Sequence, residues 1–134
     1  MIYRISLLCL IVLAMSQEAI SQREFEMKEG DTTYVMKRYV FMLLNEGPKR
    51  DHDSVAVAKI QEGHMNHINE MAKTGKMVIA GPFENAGKHR GILIFDVDSI
   101  SQAIRMESND PAIVSGRLEM QAMYWWTAKG SKLP

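Results

Sequence analysis

Apolar positions along the chain keep three rhythms. The first is an unbroken run, Ile5 to Met15 (ISLLCLIVLAM), behind the short positive start Met1 to Arg4. It has the length of a signal-peptide core and is too short to span a bilayer as a helix. Ala14-Met15-Ser16 and Ala19-Ile20-Ser21 both place small residues where a signal peptidase requires them. Residues 1–21 therefore read as a signal peptide, and the mature protein as secreted or periplasmic, with no membrane segment left. Residues 22–33 are polar and charged and read as a tether.

The second rhythm is alternation, or short apolar runs bounded by turn residues. Tyr34 to Leu44 is rich in β-branched and aromatic residues and predicts a strand. Tyr39, Phe41 and Leu43 point one way, and Val40, Met42 and Leu44 the other, so both faces of that strand are apolar. Met77 to Ala80, stopped by Gly81-Pro82, predicts a second strand, and Arg90 to Val97 a third. Leu118 to Thr127 predicts the last, with Leu118, Met120, Ala122, Tyr124 and Trp126 on one face and Met123 and Trp125 on the other.

The third rhythm is helical. Val57, Ile60, Ile68 and Met71 recur at three- and four-residue steps after Asp53 or Ser54, either of which can cap. Gly75 suits the left-handed position that closes such a helix. A second helix, Ile100 to Glu107, follows Asp98 or Ser99, with Ile100, Ala103 and Ile104 as its buried edge. Asn109-Asp110-Pro111 interrupts it, because proline cannot continue the ladder. A short turn, Ala112 to Ser115, follows.

The order strand–helix–strand–strand–helix–strand is the ferredoxin-like βαββαβ sandwich, an α+β fold. It forms one domain over 34–128, with a tail at 129–134. Two helices cover one face of a four-stranded sheet, and the other face carries Met, Trp, Tyr or Phe in either register. An apolar patch of that size marks an interface, and a homodimer packed sheet on sheet is the expectation. A ligand-binding open face is the alternative.

Charge and cysteine content remove several function classes. Lys plus Arg and Asp plus Glu both number 16, so the chain is formally neutral. Neither a basic excess nor basic–aromatic interleaving points to nucleic acid. Cys9, in the leader, is the sole cysteine. The mature domain therefore has no disulfide, thiolate metal site or cysteine nucleophile. No phosphate loop, Rossmann fingerprint or G-x-S-x-G is present, and no cofactor is expected.

The informative residue is His64, a titratable ring in the slot between Ile60 and Ile68 on the apolar stripe of the first helix. Gly63 beside it leaves room for a ligand or a neighbouring backbone. A core histidine bonded to a backbone carbonyl fits the pattern as well as an acid–base group does. Asp110 is a capping residue by position, and equally a carboxylate that can orient an imidazole. His64-x-x-His67 has metal-ligand spacing, but its third ligand would have to be His52, His89, Glu70 or Asp110, and no metal is expected. Arg90 and Arg117 are candidate contacts for an anion. The bare backbone of Gly81-Pro82 is a candidate pocket lining.

From about Tyr39 to Trp126 the chain resembles the YCII-related family. The features that carry the likeness are the His64 helix ending at Gly75, Ala80-Gly81-Pro82, Gly91, the Asp110-Pro111 pair and the aromatic last strand. The resemblance implies a dimeric α+β barrel and a site pairing His64 with Asp110 for acid–base chemistry. One branch of the family dechlorinates a hydroxylated chloroaromatic ring. Gln61 stands where many relatives carry an arginine three residues before the histidine. Two functions follow as expectations. One is a cofactor-free lyase or isomerase acting on a small aromatic or lactone-like molecule through His64 and Asp110, with Gly81, Pro82 and Arg90 binding it. The other is a non-catalytic dimeric module that binds a small ligand or a partner.

Overall fold

The computed structural model describes residues 23–134. The signal-peptide reading of residues 1–21 lies outside that range. Eight elements follow in order: β1 Glu24–Glu29, β2 Thr32–Glu46, α1 Ser54–Lys73, β3 Met77–Pro82, β4 His89–Phe95, α2 Ile100–Glu107, α3 Pro111–Val114 and β5 Leu118–Ala128.

β2 is the spine of an antiparallel sheet. β5 pairs along one of its edges from Met36 to Glu46, and β4 along the other from Val40 to Asn45. β3 closes the far side against β4. From β2 to β5 this is the ferredoxin-like arrangement, with α1 and α2 as the crossovers.

β1 departs from the sequence expectation. The span read as a tether holds a strand that pairs with Thr32–Lys37 of β2, continuing the edge where β4 stops. Gly30, at φ +59°, and Asp31 form the two-residue connection between Glu29 and Thr32. Glycine in first place of such a loop is what a II′ hairpin turn requires. The hairpin extends past the helices, so its Glu and Lys side chains stay in water, and their alternation with Phe25 and Met27 reads as polar chain. Arg23 and Lys37 tie it to the sheet by pairing with Asp96.

The register assigns the two faces of β2. Val40, Met42 and Leu44 turn to the helices and join Leu93, Phe95, Met77, Val97 and Ala103 in the core. Leu118, Met120 and Ala122 of β5 pack against the same cluster. Tyr39, Phe41 and Leu43 take the open face, where Trp125 lies tilted over Tyr39 and Phe41 at ring separations of 6.3 and 6.4 Å. Met123 and Trp125 stay about 40% and 39% exposed there.

Of the alternative caps, Asp53 accepts the Ala56 N–H at 2.8 Å and Ser99 the Gln102 N–H at 3.2 Å. Gly75 takes a φ of +71° behind α1. The buried edge of α2 is Ala103 and Glu107; Ile104, expected there, is exposed. Among the described residues no helix is long and apolar enough to cross a membrane.

Candidate active site

The site forms where α1 crosses the break between α2 and α3. His64 is the one buried residue of the twenty in α1. That burial follows from its place on the stripe that packs against the sheet and α3. Gly63 allows the close approach. A Cβ built on it would sit 2.8 Å from the Pro111 ring, inside van der Waals contact. The space expected beside His64 is thus taken by the residue that follows Asp110.

Asp110 begins α3 as its cap, with Pro111 in the first helical position where its missing N–H costs nothing. Its Oδ1 accepts the Ala112 N–H at 2.8 Å, and its Oδ2 lies 2.5 Å from His64 Nδ1. The carboxyl is wholly shielded from water. Burial works against its charge. The His64 hydrogen bond, the nearby Glu107 carboxyl and the Ala112 N–H together outweigh burial and hold its pKa below the ordinary carboxylate value. A buried carboxylate needs a donor, so Nδ1 carries the proton and donates it, and Nε2 is the ring's remaining basic nitrogen.

A second acid lies one helical turn back. Glu107 is fully buried beneath His67, whose Nε2 is 3.3 Å from Glu107 Oε2. The two groups are close but not aligned, and neither carboxyl oxygen of Glu107 nor His67 Nε2 meets a partner in hydrogen-bonding geometry. Burial pushes the Glu107 carboxyl up to about 9, and the neighbouring Asp110 adds to the effect. At neutral pH it is therefore an acid that keeps its proton. Glu107 escaped sequence reasoning, which treated it as the end of an amphipathic helix, and His67 stood out there only for its metal-ligand spacing with His64.

His64 lines an apolar cleft of about 250 Å³ between α1 and the β3–β4 end of the sheet. Leu44, Ile68, Leu93 and Leu118 form its greasy wall, with Ala80, Gly81 and Pro82 along the strand edge. Arg90, on the neighbouring strand, also lines it because Pro82 pairs with Gly91. Five of the residues singled out from the sequence, His64, Asp110, Gly81, Pro82 and Arg90, thus gather at one end of the molecule. Arg117, also singled out, lies beside them.

Of the alternative metal ligands, Asp110 meets His64, but His89 and Glu70 have other partners. His89 Nδ1 is 2.7 Å from Asn45 Oδ1, and Glu70 pairs with Lys73 at 2.7 Å on the surface. Among the described residues no three His, Cys, Asp or Glu side chains converge in a way that would hold a metal.

The arrangement can move a proton. A ring with one nitrogen fixed by a buried carboxylate presents its other nitrogen as a base, and the carboxylate stabilises the imidazolium formed.

Comparison with known proteins adds three findings. No curated protein matches the chain in sequence. Among solved structures it is similar to 5-chloro-2-hydroxyhydroquinone dehydrochlorinase from Burkholderia phenoliruptrix, solved in complex with 2,5-dihydroxybenzoquinone. The likeness has a TM-score of 0.43 at 16% identity, over 64% of this chain and 90% of that one. The model of the YCII-related domain matches residues 39–127, well over half of the sequence, and the chain belongs to that family.

Proposed function

We propose that the protein is a secreted, homodimeric enzyme that carries out cofactor-free acid–base chemistry, a lyase or isomerase step, on a small ring-bearing molecule. His64 carries the proton. Its Nε2 removes a proton from a carbon or hydroxyl of the substrate, and the imidazolium is held against the Asp110 carboxylate. The same nitrogen then returns the proton to a neighbouring atom or to a leaving group. The ring ends as it began, so no further reactant is needed. Gly81, Pro82 and Arg90 border the cleft that would receive the substrate.

The observation that carries this reading is the 2.5 Å contact between His64 Nδ1 and the fully buried Asp110, at the wall of an apolar cleft. Family membership favours the same reading. The dimer is supported by the open sheet face, where Trp125, Met123 and their aromatic neighbours remain in water. Secretion rests on the leader.

The test is a screen of hydroxylated aromatic and lactone compounds in D₂O, following product and solvent deuterium by NMR. The parent protein should turn over at least one class, and His64→Ala should lose that activity while gel filtration shows the dimer intact. Full turnover by His64→Ala would refute the assignment. Tight binding without turnover by the parent would favour the non-catalytic alternative.

A further inference from the structure

A second cavity, of about 290 Å³, opens beside the apolar cleft and shares His64, Gln61, Pro82, Arg90 and Leu118 with it. Its character is different, because Arg50, Arg90 and Arg117 all line it. Three guanidinium groups lining one cavity make it attractive to an anion.

One anion is present. Glu46 pairs with Arg90 and lies 3.6 Å from Arg50. Its carboxyl is held below the ordinary value by the Arg90 hydrogen bond and then by the charge of Arg50. Two cations therefore pair with one carboxylate, and the charge of Arg117 acts on it least. Arg117 forms no ion pair and no side-chain hydrogen bond among the described residues.

Arg117 is nonetheless fixed at its root. Its N–H donates to Ala112 at 3.0 Å, and its carbonyl accepts from Gly47 N–H at 2.9 Å and from Arg50 Nη1 at 2.7 Å. The backbone that bears this unpaired cation is anchored to the same α3 segment that holds Asp110. The planar fork of a guanidinium matches the two oxygens of a carboxylate.

We propose that Arg117, supported by Arg90 and Arg50, forms an anion subsite, so that the molecule taken by this site is a small carboxylate with an apolar body. The carboxylate sits at the arginines, and the body enters the cleft lined by Leu44, Ile68 and Leu93. His64 stands where the two cavities meet, against the atoms that join the charged end to the apolar one. This assignment deepens the acid–base reading and rests on it for the identity of the molecule as a substrate, but binding at the arginines can be measured without turnover.

The experiment compares benzoate with benzamide, which has nearly the same shape and no charge. Binding to the mature chain is followed by ¹H–¹⁵N NMR at pH 7.5, with the arginine Nε–H signals included. Benzoate should bind on the order of 10-fold more tightly than benzamide and shift the Arg117 signal. Arg117→Gln should remove that preference while leaving benzamide binding as it was, and Arg117→Lys should keep part of it. Equal binding of the two probes, no benzoate binding, or a preference untouched by Arg117→Gln with its fold intact would each overturn the proposal. His64→Ala should still prefer benzoate. A variant that keeps the preference and loses turnover bears on the acid–base reading, whereas a lost preference bears on the subsite alone.

Discussion

Two histidine–carboxyl pairs lie one helical turn apart and behave differently. His64 meets Asp110 and His67 meets Glu107, with the same three-residue spacing on both segments. Both acids are fully buried. Asp110 has two donors set by covalent geometry: the Ala112 N–H of the helix it caps and the ring N–H of His64. Glu107 projects from the last turn of α2, where backbone N–H groups are already spent, and finds no aligned donor. Two adjacent carboxyls in a dry site cannot both ionise. The cap decides the contest in favour of Asp110, and Glu107 keeps the proton. Access divides the pairs in the same way, since His64 lines both cavities beside it and His67 lines neither.

The largest effect should come from breaking the first pair. His64→Ala should lower turnover by roughly 10²- to 10⁴-fold, the usual contribution of a positioned acid–base group. His67→Ala should lower it only a few-fold. Equal losses from the two variants would erase the distinction. Next in size is Asp110. Asp110→Ala removes the cap and leaves His64 without a partner, at a cost of about 3 kcal/mol in urea unfolding. Asp110→Asn keeps an oxygen for Ala112 and so should recover part of that stability, but it lacks the charge that stabilises the imidazolium and should remain slow. An Asp110→Asn variant as active as the parent would show that the charge is unnecessary.

The second pair can be tested through pH. The folded value of Glu107, near 9, lies above the 4.5 usual for its side chain. In that interval the native state keeps a proton that the unfolded chain has released. Glu107 thus costs stability increasingly as pH rises from 4.5 toward 9 and costs nothing below it. Asp110, with its value depressed, acts oppositely: it stabilises above its unfolded value and loses that contribution as the solution is acidified. Glu107→Gln supplies a neutral group of the same shape. It should flatten the decline on the alkaline side and leave the protein more stable than the parent at pH 8. Unfolding midpoints from pH 4 to pH 9 measure this. Parallel curves for the two proteins would mean that Glu107 is ionised in the fold.

The asymmetry between the pairs also explains what could be read from the sequence. His64 stood out because it breaks an apolar stripe, and Asp110 because proline after it fixes a helix start. Both are local signals. Gly81, Pro82 and Arg90 were legible as a turn and strand ends, and antiparallel pairing of Pro82 with Gly91 brings them together. Glu107 sends no such signal. A glutamate ending an eight-residue helix looks solvated, and only the tertiary fold, which sets His67 of α1 beside it, buries it in place of Ile104. The faces of β2 were ambiguous for a related reason, since both are apolar and the register depends on which strands flank it. β1 was overlooked because its polar alternation suits a hairpin in water as well as it suits a tether. Its one distinctive mark was the Gly30-Asp31 turn.

The smallest predicted effect probes what aligns the first pair and not the second. Gly63→Ala should by propensity alone stabilise α1 by about 1 kcal/mol. Its new methyl, however, would lie 2.8 Å from Pro111 Cγ, and a proline ring cannot rotate away. Overpacking of this kind costs roughly 1–3 kcal/mol, so the net change should be a loss of up to about 2 kcal/mol. The direction of the relaxation matters more than its size. Pro111 is joined to Asp110, so pushing α3 off α1 lengthens the His64–Asp110 contact, while Glu107 and His67, a turn away, are disturbed less. Turnover should therefore fall more than stability does, and the alkaline decline set by Glu107 should persist. A Gly63→Ala protein that gains the full helix increment and keeps its activity would show that α3 yields without cost, and that the 2.5 Å alignment does not depend on the glycine.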